Sequence, residues 1–146
     1  MEAFNILLVE DDPNDVLLVQ RAFRKGNLSA AVHVTTDGQQ AEDYLAGRDG
    51  YADRGAHPLP SLVLLDLKLP RKSGHELLAW LREQPLLKRL PVVVLTSSRE
   101  SPDITRAYEL GANSYLVKPV AFDDLVELMK RLNFYWRLTN QPPPLH

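Results

Sequence analysis

Short apolar runs alternate along the chain with longer stretches in which apolar residues return every three or four positions, and the alternation repeats five times. Phe4 to Val9 is apolar and β-rich, which predicts a strand ending at Glu10-Asp11-Asp12. Pro13 opens a helix, where its missing N–H costs nothing, with Asp12 as N-cap and Asp15 well placed in the first turn. Val16, Val19 and Phe23 share one face of it, Arg24-Lys25 suit its end, and Gly26-Asn27 stop it. Ala30 to Thr35 predicts a second strand, Asp37-Gly38 a turn, and Gln39 to Ala46 a helix with Ala41, Tyr44 and Leu45 inward. Gly, Asp, Arg, His and two prolines make 47–60 a long loop, an insertion with no chemistry of its own.

Ser61-Leu62-Val63-Leu64-Leu65 is almost uninterruptedly apolar, the pattern of a strand covered on both faces, and it ends in Asp66. A loop through Pro70-Arg71-Lys72-Ser73-Gly74 leads to a helix from His75 to Glu83 that buries Leu77, Leu78 and Leu81. Val92 to Leu95 is a further apolar strand, ending at Thr96-Ser97-Ser98. Ser101-Pro102-Asp103 starts a helix expected to bury Ile104, Ala107 and Tyr108, and Gly111 ends it. Ser114 to Val117 is the last strand, closed by Lys118-Pro119. Leu125, Leu128, Met129 and Leu132 give the stripe of a final helix, and Pro142-Pro143-Pro144 cannot continue it, so the tail is extended or disordered.

Five β-α units in series predict an α/β fold, one doubly wound parallel sheet with helices on both faces. The expected strand order is 2-1-3-4-5, the flavodoxin-like arrangement, (βα)5. The 146 residues suit one domain, and 45% hydrophobic with 25% charged residues suits a folded core and not a disordered chain. A formal charge of −2 gives no global basic excess for nucleic acid, and the absence of cysteine excludes disulfides and thiolate chemistry. No apolar run approaches the ~20 residues of a bilayer span, and the acidic start at Met1-Glu2-Ala3 reads as no secretory signal, so a cytoplasmic protein is expected.

In such a sheet ligands bind beyond the carboxyl ends of the strands, where strand order reverses. Those ends supply Glu10 and Asp11, Asp66, Thr96 and Lys118. Singly, each has a plain explanation: a helix cap for Glu10 or Asp11, a turn residue for Asp66 or Thr96, a solvated lysine for Lys118. Jointly, three neighbouring carboxylates need a counter-charge, which a hard, oxygen-ligated cation such as Mg²⁺ supplies. Lys118 adds a second positive charge and Thr96 a hydroxyl. The set is suited to a phosphoryl group on Asp66, the carboxylate acting as nucleophile.

Val9-Glu10-Asp11-Asp12, Leu64-Leu65-Asp66-Leu67-Lys68-Leu69-Pro70, Val94-Leu95-Thr96-Ser97 and Tyr115-Leu116-Val117-Lys118-Pro119 resemble, in order, the motifs of the receiver domain of two-component response regulators, the CheY-like fold. The resemblance covers roughly residues 4 to 133. It implies that Asp66 takes a phosphoryl group from a phosphohistidine of a sensor histidine kinase. It implies Mg²⁺ ligation by Asp11, Asp66 and the Lys68 carbonyl, with Glu10 helping through water. Thr96 would sense the phosphoryl group and Tyr115 would be the aromatic switch that turns inward with it. Tyr115 has a second reading, as a strand aromatic that never moves. Lys68 stands where many relatives carry Asn, which bears on the lifetime of the phosphoaspartate. Such a protein is a signalling component and no enzyme beyond promoting its own phosphorylation and dephosphorylation.

The receiver is expected over 1–133, with 134–146 as an interface segment and Pro-rich tail; no DNA-binding effector is expected, so the output is a contact with a downstream protein that the sequence leaves unidentified. The 47–60 segment, Leu69-Pro70-Arg71-Lys72-Ser73-Gly74 and Leu95-Thr96-Ser97-Ser98 resemble the small regulators paired with bacterial phytochromes, which implies a red-light sensor kinase. Phe134, Tyr135 and Trp136 exceed what one helix face buries, and they point to a homodimer through the last helix and strand. The rivals are weaker. A haloacid-dehalogenase-type phosphatase needs a second Asp two residues after the first, where Lys68 stands. A flavin binder needs a hydroxyl- or Gly-rich phosphate loop where Glu10-Asp11-Asp12 would repel phosphate. A degenerate receiver, working by contact alone, is the third, although every site position is filled.

Overall fold

The structure, a computed structural model, describes residues 4–144. Among them the elements are β1 (Asn5–Val9), α1 (Pro13–Lys25), β2 (Ala31–Thr35), α2 (Gly38–Ala46), β3 (Leu62–Leu65), α3 (Gly74–Glu83), β4 (Val92–Thr96), α4 (Ser101–Glu109), β5 (Ser114–Val117) and α5 (Phe122–Asn133). The strands form one parallel sheet in the order β2-β1-β3-β4-β5, as the sequence predicts. Alternate residues of each strand feed two apolar cores. Leu7, Val63, Leu65, Val92 and Val94 face α2 and α3 with Leu45, Leu77, Leu78 and Leu81. Ile6, Leu8, Leu62, Leu64, Val93 and Leu95 face α1 and α5 with Val19, Phe23, Leu125 and Met129. Each such side chain, fully buried, stabilises the fold by about 1.5–3 kcal/mol, and β3 and β4 are buried over their whole length.

The helix starts follow their caps. Asp12 accepts from the Asn14 N–H at 2.8 Å, Asp37 from the Gln40 N–H at 2.7 Å, and Ser73 with Glu76 forms a capping box. Asp37-Gly38 is therefore the start of α2 itself. Gly74 marks a close approach: a Cβ there would stand 2.4 Å from the Asp66 carbonyl oxygen, so α3 presses directly on the end of β3.

One expectation about burial changes. Only Ala107 of α4 is buried; Ile104 is half-buried, and Tyr108 is 50% exposed, contrary to its expected place in the core. The helix meets the body through a strip one small residue wide, and Tyr108, about 100° round the helix from Ala107, falls outside it. The 47–60 loop is tied down: Arg54 donates to the carbonyls of Tyr44 at 2.9 Å, Leu45 at 3.0 Å and His57 at 3.2 Å, and the Tyr44 hydroxyl donates to the Pro58 carbonyl at 2.9 Å. Past α5 the chain continues in a π-helical turn, Phe134–Thr139. No helix of the described residues is long and apolar enough to cross a membrane.

Candidate phosphoryl and metal site

The parallel ladder carries the candidate residues to one edge of the sheet. Val9 is paired with Leu65, and the Asp66 N–H donates to the Val9 carbonyl at 3.0 Å, so Asp66 leaves β3 beside Glu10. The Lys118 N–H donates to the Thr96 carbonyl at 2.8 Å, which fixes the lysine at the mouth of β4. Glu10 is 2% exposed and Asp66 8%; Thr96 is buried and Asp11 exposed. Carboxylate oxygens of Glu10, Asp11 and Asp66 all lie within 4.8 Å of one another.

Lys118 answers part of this charge. Its ammonium donates to Asp66 Oδ2 at 3.1 Å, to Asp15 Oδ2 at 2.9 Å and to Glu10 Oε1, so three carboxylates hold one cation. Burial pushes the Glu10 carboxyl up to about 7, against the downward pull of Lys118 and of the Asp12 N–H. For Lys118, burial works against the charged form, but the bonds to Glu10 and Asp15 and the charge of Asp66 outweigh it and raise the lysine above its ordinary value. Asp66 Oδ1 is buried with no hydrogen-bond partner. Three carboxylates thus hold one ammonium with a fourth, Asp11, near two of them, and the acceptor left open belongs to Asp66. An oxygen-only donor set with an unpartnered buried oxygen fits a hard divalent cation, which Asp66, Asp11 and Glu10 would hold. When bound, such a cation offsets charge on phosphoryl oxygens.

At the next strand end Thr96 Oγ1 accepts from the Ser98 N–H at 3.5 Å. Ser98 Oγ donates to Asp103 Oδ2 at 2.6 Å, and the Tyr115 hydroxyl donates to the Ser98 carbonyl at 3.0 Å. Tyr115 is half-buried, and burial raises its phenol pKa. Thr96 and Tyr115 are therefore joined through Ser98, a residue sequence reasoning passed over. It also passed over Asp15 as a partner of Lys118, having read it only as a helix-dipole carboxylate. Lys68 is exposed, in the loop that the Gly74 N–H pins to the Leu67 carbonyl at 2.9 Å. With that residue two places beyond Asp66, the second carboxylate of a dehalogenase-type phosphatase is missing.

The three aromatics after α5 divide. Phe134 is 64% exposed and Tyr135 half-exposed, whereas Trp136 packs partly on the α1–α5 core and stands edge-on to Tyr135 at 5.0 Å. Tyr135 and Trp136 line a shallow cleft with Leu116, Leu128 and Leu132 along β5, the outer strand of the sheet.

Residues 6–130 match the response regulator receiver domain. The chain is 40% identical over 142 residues to the probable methanogenesis regulatory protein FilR2 of Methanothrix harundinacea, covering 97% of this chain and 89% of that one. It is 39% identical over 131 residues to the response regulator Rcp1 of Synechocystis sp., covering 90% of this chain and 87% of that one. The Mn²⁺-bound form of Rcp1 superposes with a TM-score of 0.84. The phosphorylated cyanobacterial phytochrome response regulator RcpA has a TM-score of 0.89 at 37% identity, over 97% of this chain and 99% of that one. The chain belongs to the response regulator receiver family.

Proposed function

We propose that Asp66 is the phosphoacceptor of a two-component pathway. The observation that carries this is its pair of oxygens: Oδ2 is held by Lys118 at 3.1 Å, Oδ1 is buried without a partner, and the carboxylate stands beside those of Glu10 and Asp11. Asp66 attacks the phosphorus of a phosphohistidine, a P–O bond forms as the P–N bond breaks, and the imidazole nitrogen leaves with the electron pair. Lys118 neutralises charge on the transferred group, and the chemistry is positioning and electrostatics. Mg²⁺ would be held by Asp11, Asp66 and the Lys68 carbonyl, with Glu10 helping through water, and would offset charge on the phosphoryl oxygens. Thr96 senses the phosphoryl group, and the Tyr115–Ser98 bond is the contact through which Tyr115 reports it. The protein acts on no substrate of its own beyond gaining and losing this phosphoryl group.

The kinase is a sensor histidine kinase of the phytochrome type. The likeness to RcpA over almost the whole chain supports this, as do the resemblances around Asp66 and Thr96. The output is a protein contact in the cytoplasm. Two copies pair through α5, β5 and the segment from 134 onward, where Phe134 and Tyr135 stand exposed beside the cleft of the outer strand. Incubation with acetyl phosphate and Mg²⁺, read by intact mass, tests the central step. A single adduct is expected on the wild type and none on Asp66→Asn. Light scattering tests the pairing: a dimer is expected for the wild type and a monomer for Phe134→Asp with Tyr135→Ser.

A further inference from the structure

Of the three carboxylates that hold Lys118, two also belong to the acidic cluster. Carboxylate oxygens of Glu10 and Asp66 lie within 4.8 Å of Asp11 and of each other, so both would be drawn on by a cation held there. Glu10 also accepts the Asp12 N–H at 3.1 Å. Phosphoryl transfer turns one Asp66 oxygen into the bridging oxygen of an acyl phosphate and moves its charge onto the phosphoryl oxygens. The Lys118–Asp66 contact is therefore altered by the very step that needs the lysine in place, and Glu10 is shared with the acidic cluster.

Asp15 stands apart. Its Oδ2 takes the third Lys118 hydrogen bond at 2.9 Å, and it lies outside the acidic cluster. It is on the third residue of α1, a helix whose start is fixed by Pro13 and by the Asp12 cap. Its side chain is one-third exposed, at the rim of the site, whereas Glu10 is buried. The cleft beside the pair is narrow and walled by Leu18, Leu95, Pro119 and Leu125, apolar surroundings in which a charge-assisted hydrogen bond is stronger than in open water. A lysine has a flexible four-carbon stem and loses much freedom when held in one place. A fixed anion on its far side removes that freedom beforehand.

We infer that Asp15 is a positioning residue for phosphoryl transfer: it keeps the Lys118 ammonium at the site mouth while Glu10 and Asp66 are engaged by the cation and the phosphoryl group. This deepens the reading of Asp66 as phosphoacceptor and rests on it. The alternative is a plain partly exposed ion pair, which contributes little.

A double-mutant cycle separates the two. Phosphorylation by acetyl phosphate with saturating Mg²⁺ is followed by intact mass for the wild type, Asp15→Ala, Asp15→Asn, Lys118→Ala and the double variant Asp15→Ala with Lys118→Ala, and the Mg²⁺ Kd is titrated for each. Loss of Asp15 is expected to slow phosphorylation about tenfold, the cost of one well-placed charge-assisted contact. Asp15→Asn, which keeps the shape and loses the charge, should slow it comparably, and the Mg²⁺ Kd should move less than about threefold, because Asp15 is not in the metal set. With Lys118→Ala already present, Asp15→Ala should slow it no further. Single variants within about twofold of the wild-type rate, or a full additional loss in the double variant, overturn the inference. A wild type that takes no phosphoryl group overturns the reading of Asp66 instead, and this inference falls with it.

Discussion

The protein half-buries a cation at each end of its sheet. At the amino ends of β4 and β5, Arg82 of α3 donates to the carbonyls of Gly111 at 2.7 Å, Leu90 at 2.7 Å and Lys88 at 3.0 Å, and to Asn113 Oδ1 at 3.1 Å. Those acceptors are neutral and fixed, and Arg82 joins the turn after α4 to the lead-in of β4. At the carboxyl ends Lys118 meets three carboxylates that outnumber it, with a fourth, Asp11, beside them and one Asp66 oxygen left over. A cation whose partners are neutral carbonyls is a brace. A cation set against surplus negative charge with an open acceptor is half of a binding site, since the fold alone needs no such excess.

That contrast can be broken by exchanging the consequences of the two residues. Lys118→Ala should cut the acetyl phosphate rate by about two to three orders of magnitude, as removal of a preorganised donor does elsewhere. Its thermal unfolding should shift little, because Glu10, already near neutrality, can take up a proton in place of its lost partner. Arg82→Ala should do the reverse: a loss of about 2–4 kcal/mol in urea unfolding, from several carbonyl bonds at about 0.5–1.5 kcal/mol each, with a phosphorylation rate within about twofold of the wild type. A rate loss for Arg82→Ala equal to that for Lys118→Ala would erase the distinction.

Gly74→Ala joins the two regions. Its Cβ would meet the Asp66 carbonyl at 2.4 Å and Leu67 Cα at 2.6 Å, both backbone. Overpacking of this kind costs about 1–3 kcal/mol, and here it also displaces the nucleophile, so stability and phosphorylation should fall together.

The smallest effect concerns a group that avoids charge. His33, on β2, is held below its ordinary value by burial and by the nearby His57. The folded chain thus favours the neutral ring, and its contribution to stability is complete above the ordinary histidine value of about 6.5 and lost as pH falls through the lower folded value. His33→Asn should therefore flatten part of the decline in melting temperature between neutral and mildly acid pH. An unchanged decline would show that other groups set it.

The five strands and the five α-helices are legible because apolar runs mark the buried strands and three-to-four-residue spacing marks the helices, whereas the π-helical turn at Phe134–Thr139 carries no such signal. Asp66, Thr96 and Lys118 are legible because apolar runs end on them, and a parallel sheet must bring those ends together. What stays illegible is carried by long side chains meeting across the sequence. Asp15 reaches Lys118 across 103 positions, and Arg82 reaches Gly111 across 29. Nothing in local spacing marks either pair. Tyr108 misled because three apolar residues in α4 suggested a full stripe, while one small side chain makes the contact. The Ser98 bridge between Thr96 and Tyr115 runs partly through a backbone carbonyl, which no residue type reveals.

Everything assembled at the strand ends turns on whether Asp66 bears the phosphoryl group. Reductive trapping tests it most directly: the protein, treated with acetyl phosphate and Mg²⁺, is reduced with borohydride and its peptides are mapped by mass. Asp66 is expected to be converted to homoserine, and no other carboxylate. Conversion at Asp11, Asp12 or Asp15 in its place, or full labelling that persists in Asp66→Asn, would contradict it.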